Sequence, residues 1–518
     1  MKPLSLPTPH FPAVLLILDG WGVSRKKIGN AIATADTPVF NHLLKTYPST
    51  TLGASGRDVG LPAKQAGNSE AGHLNIGAGR IVESDAVRID RDIANGTFFK
   101  QAAFFEAIRH VRKQHSSLHV MALLSGDQSP HASLHHLTAF LKLARQEKVK
   151  EVFLHLFTDG RDAPPFGAIE FLHALQRQLK NGERIASIMG RFYAMDRKKN
   201  WARTAVAYDA MVLGRGCRVT DPESAILAAY NRQETDEFIE PSVICQHGKP
   251  CGVIGDNDAV VFLNLRSDRA RQLAKPFVQP HFERLGGFRR KKVLKNLRFV
   301  ALTDFGPDLD SVITAYPSLT ITNTLPVVMG HYRQLYVAES EKYAHVTYFI
   351  NGGYDAPVAG EQRLRIPSPN VKNYRLRPAM AAPQITTAIL NSLQKSRRDM
   401  IVANYSNADM LGHTGDFAAA VTAVEVIDHC LGEVYKAVKR HHGLLMITAD
   451  HGTADEMLDA PSGAIITQHS TNPVPLVAIG SRHHTLTSGG VLANVAPTLL
   501  DMIGVPLPKD MTHHSLFS

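Results

Sequence analysis

Short apolar runs rich in β-branched residues recur along this chain, and longer segments between them carry apolar residues at a helical period. Buried strands are predicted wherever such a run occurs, namely at residues 13–18, 118–124, 152–157, 259–263, 299–302, 345–350, 400–403, 444–448 and 474–479. Amphipathic helices are predicted at residues 134–146, 168–179 and 417–439. Strands that alternate with helices indicate an α/β fold with mainly parallel sheets.

Length and composition point to a multidomain globular enzyme. The chain has 518 residues, which is too long for one compact core. Hydrophobic residues make up 44% and charged residues 20%, so extended disorder is excluded. The first apolar run ends at Asp19 and is far too short to span a bilayer. We therefore expect a cytoplasmic protein that does not bind membranes.

The chain is basic, with a formal net charge of +10 and a pI near 9.3. Its densest basic run, at residues 289–292, has no interleaved aromatic residues and lies in no recognisable nucleic-acid module. We interpret this run as a solvated surface segment and expect no nucleic-acid partner. A positive field that attracts a small anionic substrate accounts better for the charge.

Candidate metal or nucleophile groups occur in short, glycine-flanked patches near both ends of the chain. They are Asp19, Ser69, Asp409, His413, Asp450, His451 and His469. Carboxylates and imidazoles together suit a divalent ion of the manganese or zinc kind. The set is larger than one protein site normally uses, so two metal ions are predicted.

Each patch by itself also has a structural interpretation. Asp19 follows an apolar run, where open α/β sheets place ligands, but an aspartate there can equally cap a turn. Ser69 lies in a small-residue loop and becomes a nucleophile if a metal or base activates it; otherwise it caps a helix. Asp409 and His413 are four residues apart, which fits one helical face or a loop.

The middle of the chain lacks the metal pattern and carries arginine motifs instead, at residues 159–162, 190–197 and 264–271. Planar guanidinium groups bind carboxylates and phosphates through paired hydrogen bonds, which suits a small substrate that bears both. The alternative is internal pairing, because each motif contains its own aspartate.

This separation of chemistry along the chain predicts that one domain interrupts another. Residues 1–83 and 317–518 are predicted to form a discontinuous, phosphatase-like metal domain. Residues 84–316 are predicted to form an inserted α/β domain that binds substrate.

Taken together, the motifs closely resemble those of the 2,3-bisphosphoglycerate-independent phosphoglycerate mutases, which are members of the alkaline phosphatase superfamily. The ordered matches include LILDGWG at 16–22, GNSEAGHLNIGAGR at 67–80, TDGRDAPP at 158–165, GRFYAMDR at 190–197, SDRARQ at 267–272, EKYAHVT at 341–347, DMLGHTG at 409–415, TADHGT at 448–453 and HSTNPVP at 469–475. The resemblance covers essentially the whole chain.

The resemblance implies a role for each matching residue. Ser69 becomes the phosphoserine, and two Mn²⁺ ions are bound, with Co²⁺, Zn²⁺ or Mg²⁺ as alternatives and no 2,3-bisphosphoglycerate cofactor. One ion is held by Asp19, Ser69, Asp450 and His451, and the other by Asp409, His413 and His469. The implied substrate residues are His131, Arg161, Asp162, Arg191, Arg197, Arg266, Arg269 and Lys342.

By this resemblance, 3-phosphoglycerate transfers its phosphoryl group to Ser69, the glycerate reorients, and the phosphoryl group returns to the other hydroxyl. Asp162 and Lys342 join Ser69 as catalytic residues, with Asp162 as the base. The inserted domain is expected to act as a lid that excludes water. We expect a monomer. The alternative function is a metal-dependent phosphohydrolase or phosphopentomutase of the same superfamily.

Three departures from the usual family pattern stand out. The segment 126–133 carries one extra residue and lacks a second histidine, which affects the placement of His131. Thr453 stands where asparagine is common, and Ala408 where proline is usual. None of these removes a metal ligand, so we predict full activity, with altered kinetics traced first to the 126–133 segment.

Overall fold

A computed structural model describes residues 9–126, 129–180, 182–306, 308–309, 311–396, 398–459, 461–481 and 485–518. Contacts between Cα atoms divide the chain into two compact units. The discontinuous unit comprises Met1–Ser84 and Thr320–Ser518, and the continuous unit comprises Asp85–Leu319. Each unit has its own sheet.

Strands of the described residues are numbered in chain order. They are β1 (Ala13–Leu18), β2 (Ser49–Gly53), β3 (Leu118–Leu124), β4 (Val152–Thr158), β5 (Glu183–Gly190), β6 (Cys217–Val219), β7 (Ser242–Gln246), β8 (Lys249–Pro250), β9 (Ala259–Phe262), β10 (Arg298–Thr303), β11 (Ile313–Tyr316), β12 (Gln334–Glu339), β13 (Gln362–Ile366), β14 (Met400–Tyr405), β15 (Leu444–Thr448), β16 (Val474–Ile479) and β17 (Gly490–Val491).

The α-helices are numbered in the same way. They are α1 (Ala31–Thr34), α2 (Pro38–Thr46), α3 (Ser69–Ala78), α4 (Asp85–Asn95), α5 (Ala102–Gln114), α6 (Leu134–Gln146), α7 (Ala168–Gln176), α8 (Arg191–Ala194), α9 (Trp201–Leu213), α10 (Pro222–Asn231), α11 (Ser267–Val278), α12 (Leu325–Val328), α13 (Ala382–Asn391), α14 (Asn407–Gly412), α15 (Phe417–Arg440) and α16 (Val495–Ile503). Short 3₁₀ segments lie at Gly56–Val59, Phe98–Lys100, Asp236–Phe238, Phe282–Leu285, Tyr374–Leu376 and Leu492–Asn494. Two π-helical segments lie at His345–Phe349 and Ser392–Ser396.

The sheet of the discontinuous unit has the strand order β13-β12-β14-β1-β15-β16-β2-β17. Strands β13, β12, β14, β1 and β15 are parallel to one another, and β16 is antiparallel to both β15 and β2. Strand β1 is buried along its whole length between β14 and β15. Its uninterrupted apolar sequence follows from this position, because helices cover both faces of a parallel sheet.

The sheet of the continuous unit has the order β11-β10-β9-β3-β4-β5-β7-β6, and β8 pairs with β7. Strands β11 to β5 in this order are parallel, whereas β7 is antiparallel to β5. Separate apolar clusters pack around this sheet, one containing Val120 and Leu154 and the other Met121 and Phe157. Alternate residues of the same strands thus face opposite layers.

The predicted α/β class is confirmed, but the strand predicted at residues 345–350 is wrong. The chain turns directly after β12, and residues His345–Phe349 form a π-helix. Val346 and Ile350 are fully buried, while Tyr348 between them is 38% exposed. A short apolar run does not distinguish a strand from one helical face, and here the four-residue spacing of the buried positions sets the outcome.

Two strands that precede candidate site residues were missing from the sequence prediction. They are β5 and β12, whose sequences mix charged and polar residues with apolar ones. Within the described part of the chain, none of the helices combines the length and the hydrophobicity that a membrane span requires.

Candidate active site

Four neighbouring strands of the discontinuous unit carry candidate site residues just beyond their carboxyl ends. In sheet order, Lys342 follows β12, Asp409 follows β14, Asp19 follows β1 and Asp450 follows β15. Parallel strands end at the same edge of a sheet, so residues hundreds of positions apart in sequence converge there. Asp19 and Asp450 are fully buried, and Asp409 is 1% exposed.

Backbone contacts bring Asp19 and Asp409 together. The Asp409 N–H donates to the carbonyl of Asp19 at 3.0 Å. Gly20 lies against this contact with φ of +77°, and a Cβ atom built on it would lie 2.6 Å from the Cα of Asp409. Glycine is therefore required for both the left-handed turn and the close approach.

Ser69 is the first residue of α3, and Asn68 is the N-cap residue of this helix. The Asn68 side chain accepts a hydrogen bond from the Ala71 N–H at 2.8 Å, which leaves the Ser69 hydroxyl available for other contacts. Ser69 Oγ lies 2.9 Å from His451 Nε2, 3.4 Å from Asp19 Oδ1 and 2.6 Å from Lys342 Nζ. The alternative that Ser69 merely caps the helix is wrong, because Asn68 does so.

Lys342 contacts Ser69, Asp19 and Asp409 at this edge through its ammonium group. Its Nζ lies 2.6 Å from Asp19 Oδ1 and 2.6 Å from Asp409 Oδ2. Burial lowers the pKa of the ammonium, but the surrounding carboxylates raise it above its ordinary value, so it stays charged. Its charge, with hydrogen bonds from His413 and His469, lowers the pKa of Asp409 well below the usual range despite burial.

Crowding of carboxylates affects their protonation. Burial and the neighbouring charge of Asp450 raise the pKa of Asp19 to about 7, against the opposing effect of Lys342. The pKa of Asp450 is lowered, since His451 and His73 outweigh its burial. Three buried carboxylates around one ammonium leave an excess of negative charge, which is the electrostatic condition for a cation site.

His413 and His469 present one ring nitrogen each to Asp409. The Nε2 atoms lie 3.2 Å and 3.4 Å from Asp409 Oδ1 and 3.1 Å from each other. The Nδ1 atoms donate to backbone carbonyls, that of His413 to Thr467 and that of His469 to Gly67, both at 2.7 Å. Such hydrogen bonds fix the tautomer in which Nε2 is free to bind a metal.

His451 lies between the two groups of candidate ligands. Its Nε2 is 3.6 Å from Asp19 Oδ1 and 3.5 Å from Asp450 Oδ2, and its ring stacks on that of His469 with centroids 3.9 Å apart. Burial lowers the pKa of His451 to about 4, which keeps the imidazole neutral. Asp450 Oδ2 is buried, and no donor meets it with hydrogen-bond geometry although His73 Nδ1 lies 3.3 Å away, so this oxygen is available to a metal ion.

Ligand atoms of the described residues fall into two compact groups, Asp409 with His451 and His469, and Asp19 with His73 and Asp450. The residues present therefore fit two divalent ions by donor type, charge and orientation. The grouping by distance puts His451 with Asp409, whereas the resemblance assigns it to the ion of Asp19. His451 contacts both groups, so each assignment is compatible with its position.

His73 and Asn404 are site residues that the sequence analysis missed. His73 Nδ1 lies 2.9 Å from the Ser69 carbonyl, and its Nε2 accepts from the Asn404 amide at 3.0 Å. The same amide donates to Asp19 Oδ2 at 2.8 Å. Both nitrogens of His73 are engaged, so we interpret His73 and Asn404 as positioning residues for Asp19 and Ser69. The GNSEAGH motif contained His73, but no signal distinguished Asn404 within its apolar strand.

Thr453, a departure from the usual family pattern, contacts the site directly. Its hydroxyl donates to Asp409 Oδ1 at 2.9 Å and lies 3.3 Å from His451 Nδ1. Its methyl group occupies the space beside Gly412, where a Cβ would lie 2.6 Å from Thr453 Cγ2. The Thr453 hydroxyl thus contacts two candidate ligands, Asp409 and His451, which come from different sequence patches.

In the continuous unit, a second set of candidate residues follows β3, β4 and β5. Asp159 follows β4 and accepts hydrogen bonds from the Arg161 and Asp162 N–H groups at 3.1 Å and 3.0 Å. Arg191 follows β5 and binds both Asp159 and Asp162 through Nη1. Burial would raise the pKa of Asp159, but hydrogen bonds from Ser125, Asp162 and Arg191 lower it. Asp159 thus anchors the loop that presents Asp162.

His131 lies beside Asp162 despite the altered segment before it. Its Nε2 is 3.5 Å from Asp162 Oδ2, and its carbonyl accepts from the Leu265 N–H at 2.8 Å. Burial and the Arg191 charge lower the pKa of His131 to about 4. Residues 127 and 128 of the altered segment lie outside the described residues.

The predicted arginines pair both across motifs and within one motif. Arg197 donates to Asp268 at 2.6 Å, and Arg266 Nε lies 3.7 Å from the same carboxylate. A cavity of about 370 Å³ is lined by Arg161, Arg191, Arg197 and Arg269, together with residues such as Phe192 and Asp196. Internal pairing therefore does not close the cavity, and guanidinium groups that are paired with carboxylates still line it.

All predicted metal ligands, with Ser69 and Lys342, lie together at one sheet edge of the discontinuous unit. The other predicted substrate residues lie in the continuous unit, at the ends of β3, β4, β5 and β9. The structure thus gathers the predicted residues into two sets, one in each unit.

Comparison with known proteins agrees with this chemistry. Residues 11–507 match the Metalloenzyme superfamily. The chain is 46% identical to a 2,3-bisphosphoglycerate-independent phosphoglycerate mutase of Desulforudis audaxviator, over 99% of this chain and all of that protein. It is 44% identical to the protein of the same name from Acetivibrio thermocellus, over 97% of this chain and 98% of that one.

A solved structure supports the architecture. A Leishmania mexicana phosphoglycerate mutase, crystallised at low cobalt concentration, aligns with a TM-score of 0.73 and 26% identity. The alignment covers 99% of this chain and 98% of that one. These likenesses bear out the predicted alkaline-phosphatase-like α/β fold, and the match to the Metalloenzyme superfamily bears out a metal-dependent enzyme. The chain belongs to the family of 2,3-bisphosphoglycerate-independent phosphoglycerate mutases.

Proposed function

We propose that this protein interconverts 3-phosphoglycerate and 2-phosphoglycerate through a phosphoserine at Ser69. The observation that carries the proposal is the position of Ser69 Oγ, which lies within 3.5 Å of Lys342, His451 and Asp19 at the edge of the sheet. An isolated serine is a weak nucleophile, and this environment can both withdraw its proton and stabilise the resulting charge.

In the first step, Ser69 Oγ attacks phosphorus, the Oγ–P bond forms, and the bond from phosphorus to the substrate oxygen breaks. The Ser69 proton passes to a neighbouring base, His451 or Asp19, and from the site to the leaving oxygen of the substrate, which becomes a hydroxyl, so the step releases no net proton. Lys342 carries a full positive charge beside Oγ and neutralises charge on the phosphoryl group.

In the second step, the other hydroxyl of the retained glycerate attacks the phosphoserine. Asp162 takes the proton of that hydroxyl, while Arg191 and His131 hold the Asp162 carboxylate in place. Return of the phosphoryl group to the second oxygen regenerates Ser69. The arginines that line the cavity of the continuous unit bind the carboxylate and phosphate of the substrate.

We propose that two divalent ions, with Mn²⁺ as the first choice, are held by the carboxylates and imidazoles of the discontinuous unit. The residues are Asp19, Ser69, Asp450 and His451 for one ion and Asp409, His413 and His469 for the other. When bound, such ions lower the pKa of the serine hydroxyl and stabilise phosphoryl oxygens. No 2,3-bisphosphoglycerate is needed, because Ser69 itself carries the phosphoryl group between the two hydroxyls.

The two units have different proposed roles. The discontinuous unit forms and breaks the phosphoserine, and the continuous unit holds glycerate. Water must be kept from the phosphoserine, since hydrolysis would convert the mutase into a phosphatase. We propose that the continuous unit acts as the lid, with its hinges where the chain passes between the units. We further propose that the enzyme works as a monomer, because one chain supplies every site residue.

The reaction is tested with purified protein, Mn²⁺ and 3-phosphoglycerate, followed by ³¹P NMR. We expect 2-phosphoglycerate to accumulate to an equilibrium mixture, with a phosphorylated Ser69 peptide in acid-quenched samples. Release of free phosphate without 2-phosphoglycerate would instead identify a phosphohydrolase. Turnover of ribose 1-phosphate in place of phosphoglycerate would identify a phosphopentomutase.

Controls separate the parts of this proposal. Ser69→Ala should lose mutase activity and peptide labelling while it remains folded by circular dichroism. Chelated protein should regain activity on addition of Mn²⁺, with Co²⁺, Zn²⁺ and Mg²⁺ compared at equal concentration. Gel filtration at working concentration tests the monomer, and a dimer that dissociates with loss of activity would contradict it.

A further inference from the structure

The buried side-chain amide of Gln272 connects two of the arginine motifs of the continuous unit, those at residues 190–197 and 264–271. Gln272, on α11, is 6% exposed and uses both ends of its side chain. Its Nε2 donates to Asp196 Oδ1 at 2.9 Å and to Thr204 Oγ1 at 2.8 Å, and its Oε1 accepts from the Lys199 N–H at 2.8 Å. Gln272 therefore joins α11 to the loop that follows α8 and to the start of α9.

Asp196 is the centre of that loop. Its Oδ1 accepts from the Lys198 and Asn200 N–H groups at 3.0 Å and 2.9 Å, in addition to Gln272. Its Oδ2 accepts from Arg203 at 3.2 Å. One buried carboxylate thus fixes the backbone on the carboxyl side of Arg197.

Both partners of this contact are adjacent in sequence to arginines of the proposed substrate site. Arg197 directly follows Asp196, and Arg269 lies one helical turn before Gln272 on α11. Arg269 Nη1 also donates to the Met195 carbonyl at 3.2 Å. The hydrogen bonds of Gln272 and Asp196 consequently set the distance between the Arg197 and Arg269 backbones.

Mutual repulsion of the arginines opposes this close spacing, which the ion pair of Arg197 with Asp268 on α11, at 2.6 Å, partly offsets. Burial lowers the pKa of the Arg269 guanidinium, and the nearby positive charges of Arg197 and Arg191 lower it further. Like charges at this separation repel until an anion binds between them. A neutral amide bonded to a carboxylate and to the backbone holds the elements together without neutralising the guanidinium groups.

We propose that Gln272 and Asp196 are positioning residues that hold Arg197 and Arg269 at the spacing needed to bind one anionic group of the substrate together. This inference rests on the proposed mutase function. It assigns no contact with substrate to Gln272, which acts only through the arginines. Misplaced guanidinium groups weaken binding of the ground state and the transition state alike, so KM should rise more than kcat falls.

The test compares Gln272→Leu with Tyr208→Phe in the Mn²⁺-loaded enzyme. Leucine fills much of the same volume but donates and accepts nothing. Tyr208 lies on α9, packs in the same layer, and loses only a hydrogen bond to the Lys292 carbonyl at 2.8 Å. We expect Gln272→Leu to raise KM for 3-phosphoglycerate about 10-fold with kcat changed less than about 3-fold. Tyr208→Phe should lower the melting temperature without changing KM.

A double-mutant cycle distinguishes positioning from general destabilisation. In an Arg197→Ala background, Gln272→Leu should raise KM less than about 2-fold, because one of the two arginines whose spacing Gln272 sets is absent. Equal increases in both backgrounds would overturn the proposal. If Gln272→Leu does not fold, Thr204→Val replaces it in the cycle, with a KM increase of about 2–3-fold expected. An unchanged KM in that variant would also overturn it.

The proposed function and this inference fail in different ways. Wild-type protein that forms no 2-phosphoglycerate contradicts the mutase function and leaves nothing for Gln272 to position. An active wild-type enzyme in which Gln272→Leu changes kcat alone, or changes nothing, contradicts the inference and leaves the mutase function intact.

Discussion

The Nζ atom of Lys342 lies 2.6 Å from the Oγ atom of Ser69. The same ammonium contacts Asp19 and Asp409, so its three N–H donors are directed at the proposed nucleophile and at two candidate metal ligands. It donates to Ser69 Oγ, which directs the serine proton towards His451 Nε2 at 2.9 Å or towards Asp19. Lys342 therefore prepares the hydroxyl for deprotonation on its opposite side.

Replacement of Lys342 by methionine should lower kcat by about 10²–10³-fold, since it removes a charge positioned where the phosphoryl group gains negative charge. Methionine keeps the length of the side chain, and the variant should fold. Lys26→Met is the matched control, because the Lys26 side chain is 64% exposed and pairs with Glu456 away from the site. Steady-state kinetics with 3-phosphoglycerate measure the effect. A Lys342→Met enzyme within 3-fold of wild type would exclude an electrostatic role.

Asn404→Leu should weaken divalent-ion binding by about 10–100-fold, because it removes the amide that orients the Asp19 carboxylate. His73 would also lose the partner of its Nε2. Isothermal titration of the apoprotein with Mn²⁺ measures this affinity without reference to catalysis. The control is Tyr405→Phe, the next residue on β14, which loses only a buried hydroxyl contact with Thr386. Similar losses in both variants would indicate general damage to the strand.

Metal affinity should fall as pH falls from 8 to 6. A hydrogen bond to Asp409 raises the pKa of His413 above its ordinary value of 6.5, so protons compete for this imidazole already near neutral pH. Binding of Mn²⁺ should release protons, and the number released should depend on the buffer pH. Calorimetry in two buffers of different ionisation enthalpy measures this release. Affinity that is constant from pH 8 to 6 would argue against histidine ligands.

Stability should fall as pH drops from about 6.5 to 4, in part through His131. Burial lowers the pKa of this imidazole from 6.5 to about 4, so the unfolded chain binds a proton in this interval that the folded chain does not. The contribution is complete above pH 6.5 and is lost as pH falls to 4, with an upper limit of about 3 kcal/mol.

His131→Gln should therefore flatten the dependence of melting temperature on pH between 6.5 and 4, relative to wild type. The matched control is His281→Gln, because His281 is an exposed histidine of the same unit. Thermal denaturation of the apoprotein at half-unit pH intervals provides the measurement. Parallel curves for wild type and His131→Gln would contradict a buried, neutral His131.

Candidate site residues that follow an apolar run were predictable from the sequence. Asp19 and Asp450 come directly after β1 and β15, and both lie at the sheet edge as expected. Polar residues inside an element were not predictable as site residues. Asn404 lies within the buried strand β14 and Gln272 within α11, where neither glycine nor strand ends mark them. Their roles depend on partners that are far away in the chain.

The α/β class, the residue types at the site and the family follow from the sequence alone, because local apolar periodicity and short motifs carry that information. The sequence does not show that Lys342, Asp409, Asp19 and Asp450 follow neighbouring strands of one sheet, or that residues 345–349 form a helix, and both facts come from the three-dimensional structure. Strand order depends on which apolar faces pack together over long sequence separations, and no local pattern encodes that choice.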